Sequence, residues 1–258
     1  MQFSTIFTSL RSFLAVLMFG AFFLSACSDN AVNPIADGDE LTTNDLPELG
    51  SGKEYGHDHL LADTYANFAD LKQAEPDAFE IKTRYRRSKL IIMAIHGGGI
   101  EAGTSELASD IAGNDHDFYA FEGIKSDSNS TLHITSTKFD EPTALNMVDA
   151  ADRCVSLHGF GSTTKKVYVS GRDTQLRDAV YNALIAWGFP ADKNPPSQYA
   201  GTSINNICNK TSNNAGVQLE ISKGLRQSMF GDFSSATGRA NSKNIEFLKF
   251  LIAVRSAL

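Results

Sequence analysis

Residues 89–101 contain the feature that most restricts the fold of this chain: six consecutive apolar residues lead into a histidine and three glycines. A continuous apolar run of this length is typical of a strand that is buried on both faces, as in parallel sheets covered by helices. Glycine loses more backbone freedom on folding than any other residue, so three glycines in a row indicate a backbone that must approach another group closely. The sequence therefore predicts a buried strand that ends at a site.

Apolar runs alternate with helical patterns along the rest of the chain. This alternation predicts an α/β fold, a layered domain in which helices flank a largely parallel mixed sheet. The predicted strands cover residues 90–95, 118–121, 132–135, 153–157, 167–170 and 217–221. The predicted helices cover residues 104–112, 141–152, 174–187 and 242–257. Asp173 is the expected N-cap of the third helix, and the last helix is expected to turn Ile245, Leu248, Leu251 and Ile252 inward.

A second histidine, His158, also follows an apolar run and also precedes a glycine. Ligands of such sheets bind beyond the carboxyl ends of the strands, so we expect His96 and His158 to lie close together. Glu101 follows His96 by five residues and can return across the glycine turn. Two imidazoles and a carboxylate form a zinc ligand set that leaves one position for water. The same residues also fit two hydrogen-bonded strand-end histidines and a carboxylate at a helix start.

Glu220 lies in residues 217–221, a segment in which apolar residues alternate with Gln218 and Glu220. A carboxylate in a partly dry site is suited to proton transfer, although strand alternation equally allows a side chain that faces solvent. The glycine-rich string after His96 also occurs in the oxyanion loop of lipases. Those enzymes need a serine with glycine two residues before and two residues after it, and this chain has none, which excludes that class.

The first 26 residues predict a secretory signal peptide, with Arg11 before an apolar stretch at residues 13–24. Residues 24–27 have the pattern of a bacterial lipobox, so Cys27 is the expected lipidation site and the acyl group the membrane anchor. Ser28 then favours the outer membrane of a Gram-negative cell. Residues 27–54 are expected to form an acidic, flexible tether, and residues 55–258 the folded domain. The expectation is an exported lipoprotein at the outer membrane, in the periplasm or on the cell surface.

The net charge of −7 argues against nucleic acid as a partner. A cluster of basic residues around Lys82 and Arg84 is interpreted as a solvated strand edge. If Cys27 is lipidated, Cys154 and Cys208 remain. A disulfide, two buried thiols and Cys-His metal binding all stay open for this pair.

Several stretches together resemble the poly-γ-glutamate hydrolase family of phages and bacteria. The matching residues are 65–68, 96–101, 103–106, 132–140, 156–159, 167–173, 206–209 and 217–226. The resemblance implies a zinc carboxypeptidase-like fold, with one zinc ion per chain on His96, Glu101 and His158. It also implies that Glu220 is the general acid/base. Arg226 is expected to pair with a substrate carboxylate or with the oxyanion, the alternative being a surface ion pair.

Three further residues are candidates for substrate binding. His133 is expected to line the cleft, unless it only packs. Lys210 and Arg172 are candidate cations for the α-carboxylates of a γ-glutamyl substrate. Lys210 stands where the family pattern predicts an arginine, which puts bidentate recognition at this position in question.

The resemblance thus predicts a zinc-dependent hydrolase that cleaves γ-glutamyl amide bonds, with poly-γ-glutamate as the expected substrate. One alternative is an envelope zinc amidase or carboxypeptidase that acts on peptidoglycan peptides. Another is a surface lipoprotein that binds without turnover.

Overall fold

Seven strands form one mixed sheet in residues 63–258, the part of the chain that the computed structural model describes. They are β1 (Phe79–Arg84), β2 (Leu90–Gly98), β3 (Asp117–Gly123), β4 (Arg153–Phe160), β5 (Val167–Gly171), β6 (Ala191–Asp192) and β7 (Val217–Ser222). The spatial order is β1-β3-β2-β4-β7-β5-β6. The strands β3, β2, β4 and β7 run parallel, whereas β1 and β5 are antiparallel to β3 and β7. The predicted largely parallel mixed sheet is confirmed.

Helices cover both faces of the sheet. They are α1 (Phe68–Ala74), α2 (Thr104–Ala112), α3 (Pro142–Asp149), α4 (Thr174–Ala186), α5 (Lys223–Ser228), α6 (Ala236–Asn241) and α7 (Ile245–Arg255). One apolar core joins the sheet to α2, α4 and α7, and a second joins it to α1 and α3. No helix among the described residues has the length and apolarity that crossing a membrane requires. The predicted signal peptide, Cys27 and the tether lie outside the described residues.

Five of the six predicted strands are present, and the strand predicted at residues 132–135 is wrong. Residues Asn129–Leu132 instead form a 3₁₀ turn, after which the chain runs over the sheet without joining it. Leu132 and Ile134 are buried in the second core, which explains the apolar pattern there. The sequence did not indicate β1, whose charged side chains reflect its place at the sheet edge. Lys82 on this strand pairs with Glu122, as expected of a solvated edge.

The inward face predicted for the last helix is also wrong. Ile245, Leu248 and Ile252 are 66%, 47% and 46% exposed, and Leu251 is only partly buried. The buried residues of α7 are instead Phe247, Phe250, Ala253 and Val254. This helix is apolar on most sides, so periodicity alone does not choose a face. Phe250 packs edge-on against Phe189 and Phe247 against Phe230, so aromatic contacts in the first core fix the buried face of this helix.

Cys154 in β4 and Cys208 in the 3₁₀ turn Ile207–Asn209 are buried free thiols. Burial raises the pKa of the Cys208 thiol to about 12, so this thiol stays protonated at neutral pH. Of the three alternatives for this pair, the structure shows buried thiols.

Candidate metal centre

His96 reaches the site because β2 carries one extra residue. Ala94 packs in the core beneath α2, and strict alternation would direct His96 to the same side. The pairing of β2 with β3 slips between Ala94 and Gly97, and such a bulge re-aims the side chains beside it. The His96 ring therefore contacts Ile134 on the opposite face. His158 alternates onto that face from β4, and the two ring centroids lie 4.9 Å apart.

The glycine turn after His96 brings Glu101 back to the same point. Gly98 has a φ of 64°, a region that favours glycine, and a Cβ at this position would lie 2.4 Å from the carbonyl oxygen of Gly123. The N–H of Glu101 donates to the carbonyl of His96 at 2.9 Å, which closes the turn. The backbone thus sets the Glu101 carboxylate beside the imidazole that precedes the turn.

The three side chains present their donor atoms to one point. His96 Nδ1 lies 3.1 Å from Glu101 Oε1 and 3.1 Å from His158 Nδ1. His158 Nδ1 lies 3.9 Å from Glu101 Oε2. A tetrahedral zinc ion with bonds of about 2.0–2.1 Å separates its ligand atoms by roughly 3.3 Å. The observed distances fit such a site, and both imidazoles are buried.

The second nitrogen of each imidazole and the second oxygen of Glu101 contact other protein groups. These contacts fix the orientation of each side chain. His96 Nε2 donates to the carbonyl of Ile134 at 2.9 Å, and His158 Nε2 contacts the Ser156 hydroxyl at 2.8 Å. Glu101 Oε2 accepts from the N–H of Gly159 at 2.8 Å. Each imidazole therefore turns Nδ1 toward the shared point, and outer contacts of this kind orient metal ligands in proteins. The donor set fits a zinc ion held by His96 Nδ1, His158 Nδ1 and Glu101 Oε1.

The three groups have different protonation states. Burial opposes charge on His96, but the Glu101 carboxylate and the carbonyl of Ile134 raise the pKa of this imidazole. Burial would raise the pKa of Glu101, yet the charge of His96 and the hydrogen bond between the two lower it to about 2. Burial and the charge of His96 lower the pKa of His158 to about 3. At pH 6, His96 and Glu101 thus form an ion pair beside a neutral His158.

Glu220 faces the same cavity from β7. It lies directly opposite His158 in the register of β4 and β7, and its side chain is almost fully buried. Val217, Leu219 and Ile221 of this strand pack in the first core, so alternation turns Glu220 to the histidine face. The cavity has a volume of about 1280 Å³, and His96, Glu101, His158 and Glu220 all line it. The predicted acid/base residue and the candidate ligands share one cleft.

Arg226 lies in the wall of this cavity and is buried. Its Nε, Nη1 and Nη2 atoms donate to the carbonyls of Ile221, Ala102 and Phe160 at 3.0, 2.5 and 3.3 Å. The guanidinium packs over Gly159, where a Cβ would lie 2.5 Å from its Cζ atom. Arg226 therefore ties the glycine turn to the ends of β4 and β7. A contact between Arg226 and the substrate stays a prediction.

His133 lines the cavity and stacks on His96 with ring centroids 4.0 Å apart, and a contact with the substrate stays a prediction. Its Nδ1 lies 3.1 Å from Asp63 Oδ1, which also accepts from the backbone N–H of Thr135. Burial and the nearby charge of His96 lower the pKa of His133 to about 4. A neutral ring at neutral pH follows, packed against one of the candidate ligands.

Two of the predicted substrate-binding cations lie away from this cavity. Arg172 lines a separate shallow depression and donates to the carbonyl of Asn214. Lys210 follows the turn Ile207–Asn209 and is not part of the cavity lining. The lining contains Lys138 and Lys223 instead, which sequence reasoning missed. Lys223 was detectable in principle, because it follows the strand of Glu220 directly.

Comparisons with known proteins identify the family of this chain. Residues 65–253 match the sequence profile of the poly-gamma-glutamate hydrolase family. The chain belongs to this family. It is 42% identical to the UPF0714 protein YndL of Bacillus subtilis (strain 168) over 190 residues, 73% of this chain and 75% of the relative. It is 41% identical to the SPbeta prophage-derived UPF0714 protein YoqZ of the same strain over 194 residues, 74% of this chain and 70% of the relative.

Two solved structures support the family at the level of the fold. A bacteriophage poly-gamma-glutamate hydrolase is 35% identical, with a TM-score of 0.72 over 76% of this chain and 96% of that chain. A zinc-free form of YndL is 40% identical, with a TM-score of 0.73 over 76% and 97%. The zinc carboxypeptidase-like α/β fold is thus confirmed, and the chain is an amide hydrolase of the poly-gamma-glutamate hydrolase family.

The protonation states of the site give a test of its metal binding. At pH 6, His96 holds a proton on Nδ1 because its pKa is raised, whereas His158 and Glu101 are already deprotonated. Binding of one zinc ion at pH 6 should therefore release roughly one proton. Calorimetric titration of metal-free protein with zinc, in buffers of different ionisation enthalpy, measures this number. Release of no proton, or of two, would contradict the assignment.

Proposed function

We propose that the protein is a zinc-dependent hydrolase that cleaves γ-glutamyl amide bonds, with poly-γ-glutamate as its substrate. One observation carries the proposal: the donor set of His96, Glu101 and His158 shares a cleft with the Glu220 carboxylate. A three-ligand site beside a carboxylate is the arrangement that zinc amide hydrolysis requires. The relative YndL, whose structure has been solved in a zinc-free form, also supports zinc as the metal.

The roles of the residues follow from their positions. A bound zinc ion supplies Lewis acidity, which activates water and polarises an amide carbonyl. Glu220 accepts a proton from the attacking water as the new C–O bond forms. It then returns this proton to the amine nitrogen as the C–N bond breaks. Arg226 holds the glycine turn and the two strand ends in place, so the ligands and Glu220 keep a fixed separation.

The cavity suits a polyanionic chain better than a small molecule. Its volume of about 1280 Å³ exceeds that of typical small-ligand pockets, which hold about 300–1,000 Å³. Lys223 and Lys138, the latter paired with Asp63 at 3.3 Å, bring positive charge to the lining of a protein whose net charge is −7. Each γ-glutamyl unit carries an α-carboxylate that needs such a partner. Phe160 and Tyr199, whose ring centroids lie 5.0 Å apart, add an aromatic wall for the methylene groups.

The role of Glu220 is tested by Glu220→Gln. This change keeps the size of the side chain but removes its basicity, so hydrolysis of poly-γ-glutamate should fall by about 10²- to 10⁴-fold. Zinc content, measured by atomic absorption, should stay at the wild-type value because Glu220 is not one of the proposed ligands. Glu246→Gln, on the surface of α7, serves as the matched control and should retain activity.

Two outcomes would contradict the proposal. Full activity of Glu220→Gln would reject Glu220 as the acid/base. Wild-type protein that cleaves only peptidoglycan peptides would replace poly-γ-glutamate with the alternative substrate. Both polymers are therefore assayed side by side, with and without a chelator.

We also propose that the chain is exported and anchored by acylation of Cys27. The support is the sequence pattern of residues 13–28 alone. Cys27→Ser should abolish incorporation of a labelled fatty acid and move the protein from the membrane fraction to the soluble fraction. A wild-type chain without label would reject the anchor.

A further inference from the structure

A chain of buried amide side chains ends on the Glu220 carboxylate. Gln218 precedes Glu220 by two residues on β7, so both side chains extend from the same face of the sheet. Gln218 Nε2 donates to Glu220 Oε1 at 2.8 Å. Asn206 Nδ2 donates in turn to Gln218 Oε1 at 2.7 Å. Both amides are 3% exposed, so water does not replace these contacts.

The direction of this chain is fixed by the backbone. The N–H of Cys208 donates to Asn206 Oδ1 at 3.1 Å, so the other end of this amide, Nδ2, is its donor. Asn206 therefore requires an acceptor from Gln218 and receives Oε1. Gln218 must then present its NH₂ group to Glu220, and its second N–H reaches the carbonyl of Tyr199 at 3.3 Å. A backbone amide thus determines which end of Gln218 meets the carboxylate.

The chain also connects Glu220 to the loop that lines the cavity. Tyr199 belongs to the segment between β6 and β7 and contributes to the cavity wall. Gly201 of this segment lies against Gln218, where a Cβ would come within 2.6 Å of the Gln218 Cβ. Gln218 therefore sits between the loop and the carboxylate and touches both.

We infer that Gln218, oriented by Asn206, is a positioning residue that fixes the carboxyl plane of Glu220 for proton transfer. The inference rests on the proposed role of Glu220. The Gln218 N–H donates to Glu220 Oε1 and so fixes the orientation of the carboxyl group that takes the proton from water. The same carboxyl group returns the proton to the amine, and Gln218 neither gains nor loses a proton. The neighbouring strand β4 contains a similar pair, in which the Ser156 hydroxyl contacts the ring of His158 two residues further along.

The test removes the Gln218 amide without changing its length. In zinc-loaded full-length protein, Gln218→Met should lower kcat on poly-γ-glutamate by about 10- to 100-fold, the usual effect of losing a residue that orients a functional group. KM and zinc content should stay near the wild-type values, whereas the melting temperature should fall because Asn206 Nδ2 loses its buried acceptor. Gln175→Met, an exposed glutamine on α4, is the matched control and should behave like wild type. Unchanged kcat in Gln218→Met would overturn the inference.

A double-mutant comparison shows whether Gln218 acts through Glu220. Adding Gln218→Met to Glu220→Gln should cause no further loss of kcat, because the positioned carboxylate is already gone. Losses that multiply would show an independent role and overturn the inference. Full activity of Glu220→Gln alone would instead reject the proposed role of Glu220, so the two failures are distinguishable.

A second variant tests the same idea if Gln218→Met does not fold. Asn206→Asp keeps the shape of the side chain but replaces its donor with an acceptor. Gln218 would then rotate its NH₂ group toward the carboxylate introduced by this substitution and its oxygen toward Glu220, which repels the Glu220 carboxylate. We expect a lower kcat at unchanged zinc content. Wild-type kcat in Asn206→Asp would overturn the inference.

Discussion

The extra residue of β2 is the constraint on which the rest of the site depends. It turns His96 out of the helix-covered core and onto the face where His158 emerges from β4. Without this shift, the two imidazoles would lie on opposite sides of a sheet and share no ligand. The glycine turn is the second constraint, because it brings the Glu101 carboxylate back to the His96 ring.

Polar residues on one face of β4 and β7 then complete the site. Ser156 and Gln218 lie opposite each other in the strand register, as do His158 and Glu220. Each earlier residue holds the functional residue two positions further along its strand. The opposite face of both strands is apolar and packs under the helices. Strand alternation therefore separates the chemistry from the core, and the buried core keeps the two polar rows at a fixed spacing.

The sequence predicted the parts of this arrangement that depend on local pattern. Apolar runs gave the central strands, and histidines at two strand ends indicated where the site would lie. The bulge could not be predicted, because it appears only as a slip of β2 against β3. The orientation of α7 could not be predicted either, since nearly every position of this helix is apolar and packing decides its face.

The cations that line the cavity also could not be predicted from the sequence alone. Lys138 and Lys223 come from segments whose closeness depends on the fold. Arg172 and Lys210 were candidates because of their charge and their place in or beside family-like stretches, and neither property shows whether a residue reaches the cavity. The position of Gln218 was predictable from the sequence. It precedes Glu220 by two residues in a strand, so both side chains lie on the same face of the sheet.

The most direct test is the anomalous scattering of a zinc-loaded crystal at the zinc absorption edge. The account predicts one peak bonded to His96 Nδ1, His158 Nδ1 and a Glu101 oxygen at about 2.0–2.2 Å. A crystal without a peak at this point, or with zinc held through the Nε2 atoms, would contradict it.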